Sequence, residues 1–519
     1  AAVLAYLYTQ TLMPYPRVHL ENLHRLAGAV VLALVFLGLG WLLLGLFSNR
    51  RLSRIPLAVF FCALIFIDLA SYNNRINVVD EIDHYEGSQV TAALHKAARN
   101  RSRYIQTTED HHVANGNYFG LEEAGGRSPL APEKYMEALN QAGDNANFLN
   151  LLGVEFFAGP PPEGLKSLCK PWGDNLRRLP GAYPRAFRVD DSVVIRDADV
   201  RQELLESEGW DFGRMAWQDE KIASIEFQPA PIGTLEEKFK QPVVVFSGSK
   251  NGSLMGAYII LGGRQVCRNE RGYNLAVIDP GSGDLISTAT FDTHWFGEEA
   301  SSRMAAFIEE IPDGRLVVGA ISDEGTQHLT EQGVAALESV GCALKLSGQF
   351  RMAHAFIGIK GFPPGTALEA ADEREAILAL GQRGQRFTVM RASDEKVEPL
   401  AVPLEQWQPG RLVLNTKKTP PGFLVITEKD YPGWRARLKQ DTVRPVQANT
   451  LFLGLPLYQG TPAVELVFQP TGWYIWLAVS LLSLAVIAGG LILNRKRKRP
   501  APEVARPSGK QILMQDESE

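Results

Sequence analysis

Several short runs in this 519-residue sequence bring together residue types that do chemistry. Glu109-Asp110-His111-His112 offers two imidazoles beside two carboxylates, the donor types of a metal site. Adjacent residues of a strand point to opposite faces, and no partner motif accompanies the run, so it reads as an exposed polar loop. Ser247-Gly248-Ser249-Lys250 has the composition of a phosphate loop but lacks its glycine spacing and following helix. No nucleophile elbow, zinc-ligand spacing or kinase signature occurs. The expectation is therefore no assignable catalytic set, no metal and no cofactor. Cysteines at 62, 169, 267 and 342 are too few for a disulfide scaffold. Cys62 lies in an apolar run and reads as a small core residue, which leaves one disulfide open among the other three.

The elements that position such residues follow from pattern. The length suits two or three domains, and the formal net charge of -5 gives no broad basic face, so no nucleic-acid partner is expected. Three apolar runs stand out, at about 26–47, 55–70 and 473–493. The first and third are long enough to cross a bilayer at the helical rise, and the second lies close enough to the first to complete a hairpin. Arg50, Arg51 and Arg54 separate the first two, and Arg495 to Arg499 follow the third. The positive-inside rule then predicts a multi-pass protein of the cell membrane with the lipid bilayer as a partner. Residues 72–471 would be extracytoplasmic, and the basic then polar tail, 495–519, cytoplasmic. The chain starts Ala-Ala-Val without an initiator Met and is expected to be the C-terminal part of something longer.

Between the spans, 72–241 reads as a first outer part. It has a helix over 88–99, a strand at Arg103-Tyr104-Ile105, a short helix over 134–140 and a buried strand ending at Phe157. From Pro242 to Glu369 the texture is β-rich. Strands are predicted at 243–247, 257–261, 274–279, 285–291, 315–322 and 355–361, with amphipathic helices over 298–310 and 330–340. Residues 370–471 read as a second outer part, in which Gly381 to Arg386 is a linker and β structure resumes at 386–391 and 411–415. Tyr431-Pro432-Gly433-Trp434 is a turn after a strand, with Trp434 more readily a packing anchor than a sugar-stacking ring.

Two resemblances sharpen this reading. Asp68-Leu69, Arg103-Tyr104-Ile105, the run Asn150 to Phe156, Tyr183-Pro184-Arg185-Ala186-Phe187 and the run Gly422 to Trp434 resemble, in order, the C-terminal half of YfhO-like bacterial membrane proteins. Those look like GT-C glycosyltransferases. The family's later Asp-Gly turn is replaced here by Leu438-Lys439-Gln440-Asp441-Thr442. The class resemblance implies a catalytic carboxylate that would lie before residue 1, so no transferase centre is expected within the chain.

The second resemblance is to interleukin-like EMT inducer (ILEI, PANDER-like) domains. It rests on Arg271 to Asp279, Phe291-Asp292-Thr293, Ile311-Pro312-Asp313-Gly314, Ser322-Asp323-Glu324-Gly325, Leu337 to Gly341 and Ile357 to Gly361. It implies a carbohydrate-binding fold whose sugar contacts correspond to Asp323 and Arg351. The family's Trp after that Arg is missing from Arg351-Met352-Ala353-His354, and His354 is the residue that would replace it. An Asp and an Arg at one sheet end can hold sugar hydroxyls by charge-assisted hydrogen bonds, or pair with each other to seal the edge.

The expected fold class is α+β. A β-rich extracytoplasmic region, with an ILEI-like sandwich at 242–369 inserted in the YfhO-like outer domain, is joined to three transmembrane α-helices. The expected function is recognition of a glycan or lipid-linked sugar by the outer region of a bacterial membrane glycosyltransferase-like protein acting in cell-envelope glycan modification. The alternative is a non-catalytic, membrane-anchored adhesion protein whose ILEI-like domain docks a protein partner.

Overall fold

The computed structural model describes residues 102–107, 121–125, 132–173, 175–222, 230–438 and 441–470. It also describes short helical stretches within 38–49, 92–94 and 472–485. The chain divides into a unit over 1–84 and a unit over 85–519, and the architecture below belongs to the second.

Its centre is a ten-stranded sheet. The strands are β1 (Val243–Ser249), β2 (Gly256–Leu261), β3 (Arg264–Gln265), β4 (Gly272–Ile278), β5 (Leu285–Phe291), β6 (Leu316–Asp323), β7 (Ala353–Ile359), β8 (Leu368–Asp372), β9 (Glu375–Leu380) and β10 (Phe387–Arg391). Helix α1 (Gly297–Glu309) lies between β5 and β6, and α2 (Glu331–Glu338) between β6 and β7. The sheet folds into two leaves. One runs β3-β2-β1-β9-β10 and the other β5-β4-β6-β7-β8, with antiparallel neighbours throughout. They meet where β1 and β6 run parallel over two residue pairs, Gly248 with Ser322 and Ser249 with Asp323.

The near-continuous Val, Ile, Leu and Ala runs of these strands follow from burial on both faces. Val243, Val245, Ile259, Ile278, Val318, Ile357 and Leu378 fill the space between the leaves. On the far side of the second leaf, Tyr273, Leu275 and Phe356 meet Met304 and Ile308 of α1 and Leu337 of α2. A Cβ on Gly319 would stand 2.2 Å from the Phe356 ring, so glycine there is what admits the ring. On the far side of the first leaf, Val244, Phe246, Tyr258, Ile260, Ile377 and Met390 join a core with Phe187, Trp210 and Trp217.

That neighbouring region holds a seven-stranded sheet packed on a five-stranded one, the two sharing a core of Leu412, Leu414, Leu424, Leu453, Leu455 and Leu466. Trp434 is half-buried against this core, with its ring 5.3 Å from Phe468, a packing position. Glu375, fully buried at the head of β9, accepts hydrogen bonds from the Ser207 hydroxyl (2.6 Å) and the N–H groups of Gly209 (2.7 Å), Leu254 (3.1 Å) and Glu208 (3.3 Å). Four donors from two loops on one carboxylate tie the ten-stranded sheet to the preceding segment.

Three expectations change. The fold class with three transmembrane helices, and with it a multi-pass protein of the cell membrane, is corrected. Among the described residues no helix is long and apolar enough to cross a membrane. The longest helix among the described residues between 102 and 470, α1, has 13 residues and an exposed polar face, and the apolar runs there are spent on short, two-sided strands. The run 55–70 lies outside the described residues, and 26–47 and 473–493 are described only in part. Also outside are Cys62, Glu109 to His112, most of 88–99 and the tail 495–519. Gly381 to Arg386 is a hairpin turn between β9 and β10 of the same sheet. Cys169, Cys267 and Cys342 are all free and buried.

The seam between the leaves is stitched by one hydroxyl. Ser247 Oγ donates to the Ile321 carbonyl (2.7 Å) and accepts from the N–H groups of His354 (2.9 Å) and Ile321 (3.2 Å). Ser247→Ala strands these buried groups and should cost about 2–4 kcal/mol. Urea denaturation should show a lower midpoint at unchanged slope, and a loss under about 0.5 kcal/mol would show that the hydroxyl does not hold the seam.

Candidate functional site

Asp323 ends β6 and Arg351 lies two residues before the start of β7, so both stand at the same end of the second leaf. Both are non-glycine residues in the left-handed region, with φ of +62° and +56°. Such backbone persists only where the surroundings over-determine it. Here the surroundings are Glu324. Its buried carboxylate accepts from the N–H groups of Thr326 (2.7 Å) and Gln327 (3.0 Å) in its own loop, and from the N–H of Arg351 in the other. The Thr326 hydroxyl donates to the Gln349 carbonyl (2.8 Å), doubling the tie. Asp323 and Arg351 are thus brought together, with Oδ1 and Nε 4.0 Å apart and both side chains partly exposed. This is too long for a hydrogen bond. Asp323 Oδ1 has no hydrogen-bond donor among the described residues.

His354 is not at this surface. It is 1% exposed, within the core behind the leaf. Its Nδ1 faces the Tyr273 hydroxyl (3.4 Å), its Nε2 faces Glu369 Oε1 (3.2 Å), and its ring stacks on Phe356. It offers no stacking face to a sugar. The His354 carboxylate partner is held below the usual glutamate range, where burial works upward but the hydrogen bonds from His354 and the Ala343 N–H prevail.

An aromatic face comes from a segment that sequence reasoning had not singled out. The turn after β5 carries Trp295, which is 71% exposed, and Phe296, also exposed. Asp292 at its start accepts from the Trp295 N–H (2.9 Å) and takes a two-pronged ion pair from Arg271, with Nη2 at 2.8 Å and Nε at 3.1 Å from Oδ2. The Arg271 guanidinium lies 5.7 Å from the Trp295 ring centre. Hydrogen bonding to Asp292 raises the Arg271 pKa, and the charge of Asp323 adds to this, so Arg271 and Asp323 share one field. The Thr293 hydroxyl donates to the Gly325 carbonyl (2.6 Å), fastening the Trp295 turn to the Asp323 loop. Phe350, exposed, carries the Arg351 guanidinium 4.7 Å above its ring. The result is a shallow polar face of two guanidiniums and two carboxylates flanked by exposed rings. Among the described residues, a separate cleft of about 610 Å³ is lined by Arg214, Arg391, Asp394 and Lys396 and includes none of these groups.

Comparison with known proteins assigns this part of the chain. Residues 271–362 match the family model of the interleukin-like EMT inducer, so the chain carries an ILEI domain there. The human "Cell migration-inducing and hyaluronan-binding protein" is 36% identical over 93 residues, 18% of this chain and 7% of that protein. Protein FAM3C of Rattus norvegicus is 35% identical over 91 residues, 18% of this chain and 39% of that protein. The chain therefore spans well under half the length of these relatives. Among solved structures, the mycobacterial arabinofuranosyltransferase AftD (mutant R1389S, class 1) covers 55% of this chain and 29% of its own, at 16% identity and a TM-score of 0.17. At that score the likeness carries no argument.

Glu324→Gln keeps the size of the side chain but turns one acceptor into a donor facing backbone N–H groups. It should lower stability by about 1–3 kcal/mol. It should also speed hydrogen exchange at the Arg351 amide in native-state measurements. Unchanged protection of that amide would show that Glu324 does not set the loop.

Proposed function

We propose that the face formed by Asp323, Arg351, Arg271 and Trp295 is a carbohydrate-binding surface, and that the ILEI domain is the glycan-recognising part of this chain. The observation that carries the reading is the Asp323–Arg351 pair, two partly exposed charged side chains 4.0 Å apart and not hydrogen-bonded to each other, each held in left-handed backbone. A sugar hydroxyl donates to the exposed part of the Asp323 carboxylate, and a neighbouring hydroxyl accepts from a guanidinium. The exposed Trp295 ring offers the apolar face on which the C–H side of a pyranose packs, the role His354 cannot fill. One relative is named for binding hyaluronan, an acidic glycan, which fits two arginines at the rim. The wider frame, a glycosyltransferase-like protein of bacterial cell-envelope glycan modification, rests on the resemblance of 183–187 and 422–434. The second reading, protein docking, is favoured by β5, which among the described residues is an edge strand paired only with β4 and exposes Leu285 and Ile286.

Affinity should be weak, because each sugar hydroxyl exchanges water for protein bonds at a net gain of about 1 kcal/mol. Titration of the full chain with hyaluronan and neutral oligosaccharides, followed by NMR or calorimetry, should show saturable binding. Asp323→Ala, Arg351→Ala and Trp295→Ala should each weaken it about 5–20-fold, equivalent to about 1–2 kcal/mol. Binding that survives all three substitutions overturns the site. Absence of binding to every glycan with the protein folded favours the docking reading.

A further inference from the structure

Behind the sugar-facing surface, three side chains from three segments converge. Cys342 follows α2, His354 lies on β7 and Glu369 on β8. Their ligand-capable atoms, Sγ, an imidazole nitrogen and a carboxylate oxygen, all lie within 4.8 Å of one another. Cys342 and His354 are buried, and the Glu369 carboxylate is nearly so. Each is fixed by its backbone. Gly341, at φ +96°, turns the chain from α2 so that Cys342 points inward, and a Cβ there would stand 2.6 Å from Thr366 Oγ1. Antiparallel pairing of β7 with β8 sets Glu369 opposite Phe356 and Ala371 opposite His354, so the imidazole and carboxylate share a face.

We propose that Cys342, His354 and Glu369 form a metal site for a divalent transition ion of the zinc class. A thiolate, an imidazole and a carboxylate are the three donor types zinc takes, with ligand atoms about 3.3–3.7 Å apart in a tetrahedral arrangement. The present spacing reaches that arrangement with side-chain movements of about 1 Å. The surrounding bonds are those of a supported ligand set. The Tyr273 hydroxyl faces Nδ1 and leaves Nε2 for the ion, while Glu369 accepts from the Ala343 N–H at 2.7 Å. Loading forms the S–metal, N–metal and O–metal bonds and releases the thiol proton to solvent. Thiolate and carboxylate together neutralise the ion within the core. Ala343 and Leu344, whose N–H groups face the Glu369 carboxylate, are exposed. A fourth position remains for water.

Without an ion the same groups form a hydrogen-bonded row from thiol to carboxylate to imidazole, and the experiment separates the two cases. The full chain, purified without chelator and dialysed, should retain about one zinc per chain by elemental analysis. Cobalt(II) substitution should give a sulfur-to-cobalt charge-transfer band together with the visible bands of a tetrahedral ion. Cys342→Ser should abolish the charge-transfer band, and His354→Gln and Glu369→Gln should each remove stoichiometric binding. Chelator should lower the wild-type melting temperature and leave the variants unmoved. If a variant fails to fold, the wild-type cobalt spectrum decides alone. No metal uptake by folded wild-type protein, or a thiolate band that persists in Cys342→Ser, overturns the site.

Discussion

The architecture hangs on a short parallel contact. β1 and β6 touch over two residue pairs and then diverge, and the space that opens between them is the sandwich interior. A two-residue contact is too small to fix the angle between two leaves by ladder bonds alone. The Ser247 hydroxyl supplies the rest by joining β1 to both β6 and β7 at that point. Buried away from water, it has no competing partner, and each bond it makes carries more weight than the same bond at a surface. The two proposed clusters lie around this stitch. Asp323 is two residues beyond the bonded Ile321, and His354 is itself one of the bonded residues.

From this follows a division of labour across one leaf. Outside, strained loops hold charges partly exposed and incompletely paired, the state in which a polar ligand gains most. Inside, Cys342, His354 and Glu369 are paired with one another and shielded. Glu324 separates the two regimes, since its carboxylate satisfies the backbone of both loops and leaves Asp323 and Arg351 free of that task. Adjacent acidic residues in one short motif therefore do opposite work, one buried and saturated, the other short of a donor.

Much of this was legible in the sequence and some could not be. Runs such as Val243-Val244-Val245-Phe246 and Leu275-Ala276-Val277-Ile278 announce strands because both faces are buried and every position is apolar. Asp323 and Arg351 were found by their motif and are adjacent. Trp295 is not legible from the residues next to Arg351 in the chain, because the ring arrives through Asp292 and Thr293 from across the sheet end. The Cys342, His354 and Glu369 cluster has no spacing signature, being assembled by strand pairing. The turn at 381–386 resembled a linker because its glycines and charges are those of any loop. The pairing of β9 with β10 on one side and with β1 on the other shows that it joins strands of one sheet.

The first leaf is apolar on both sides, and its outer side, with Phe246, Tyr258, Ile260, Ile377 and Met390, rests on the tryptophans of the preceding region. This has a bearing on how such a chain can change over generations. A recombination that copied only the segment for the ten strands into another gene would deliver a greasy flank with nothing to rest on. The unit that can be shuffled intact is the sheet together with its tryptophan-bearing neighbour, and drift in either is held in check by the other.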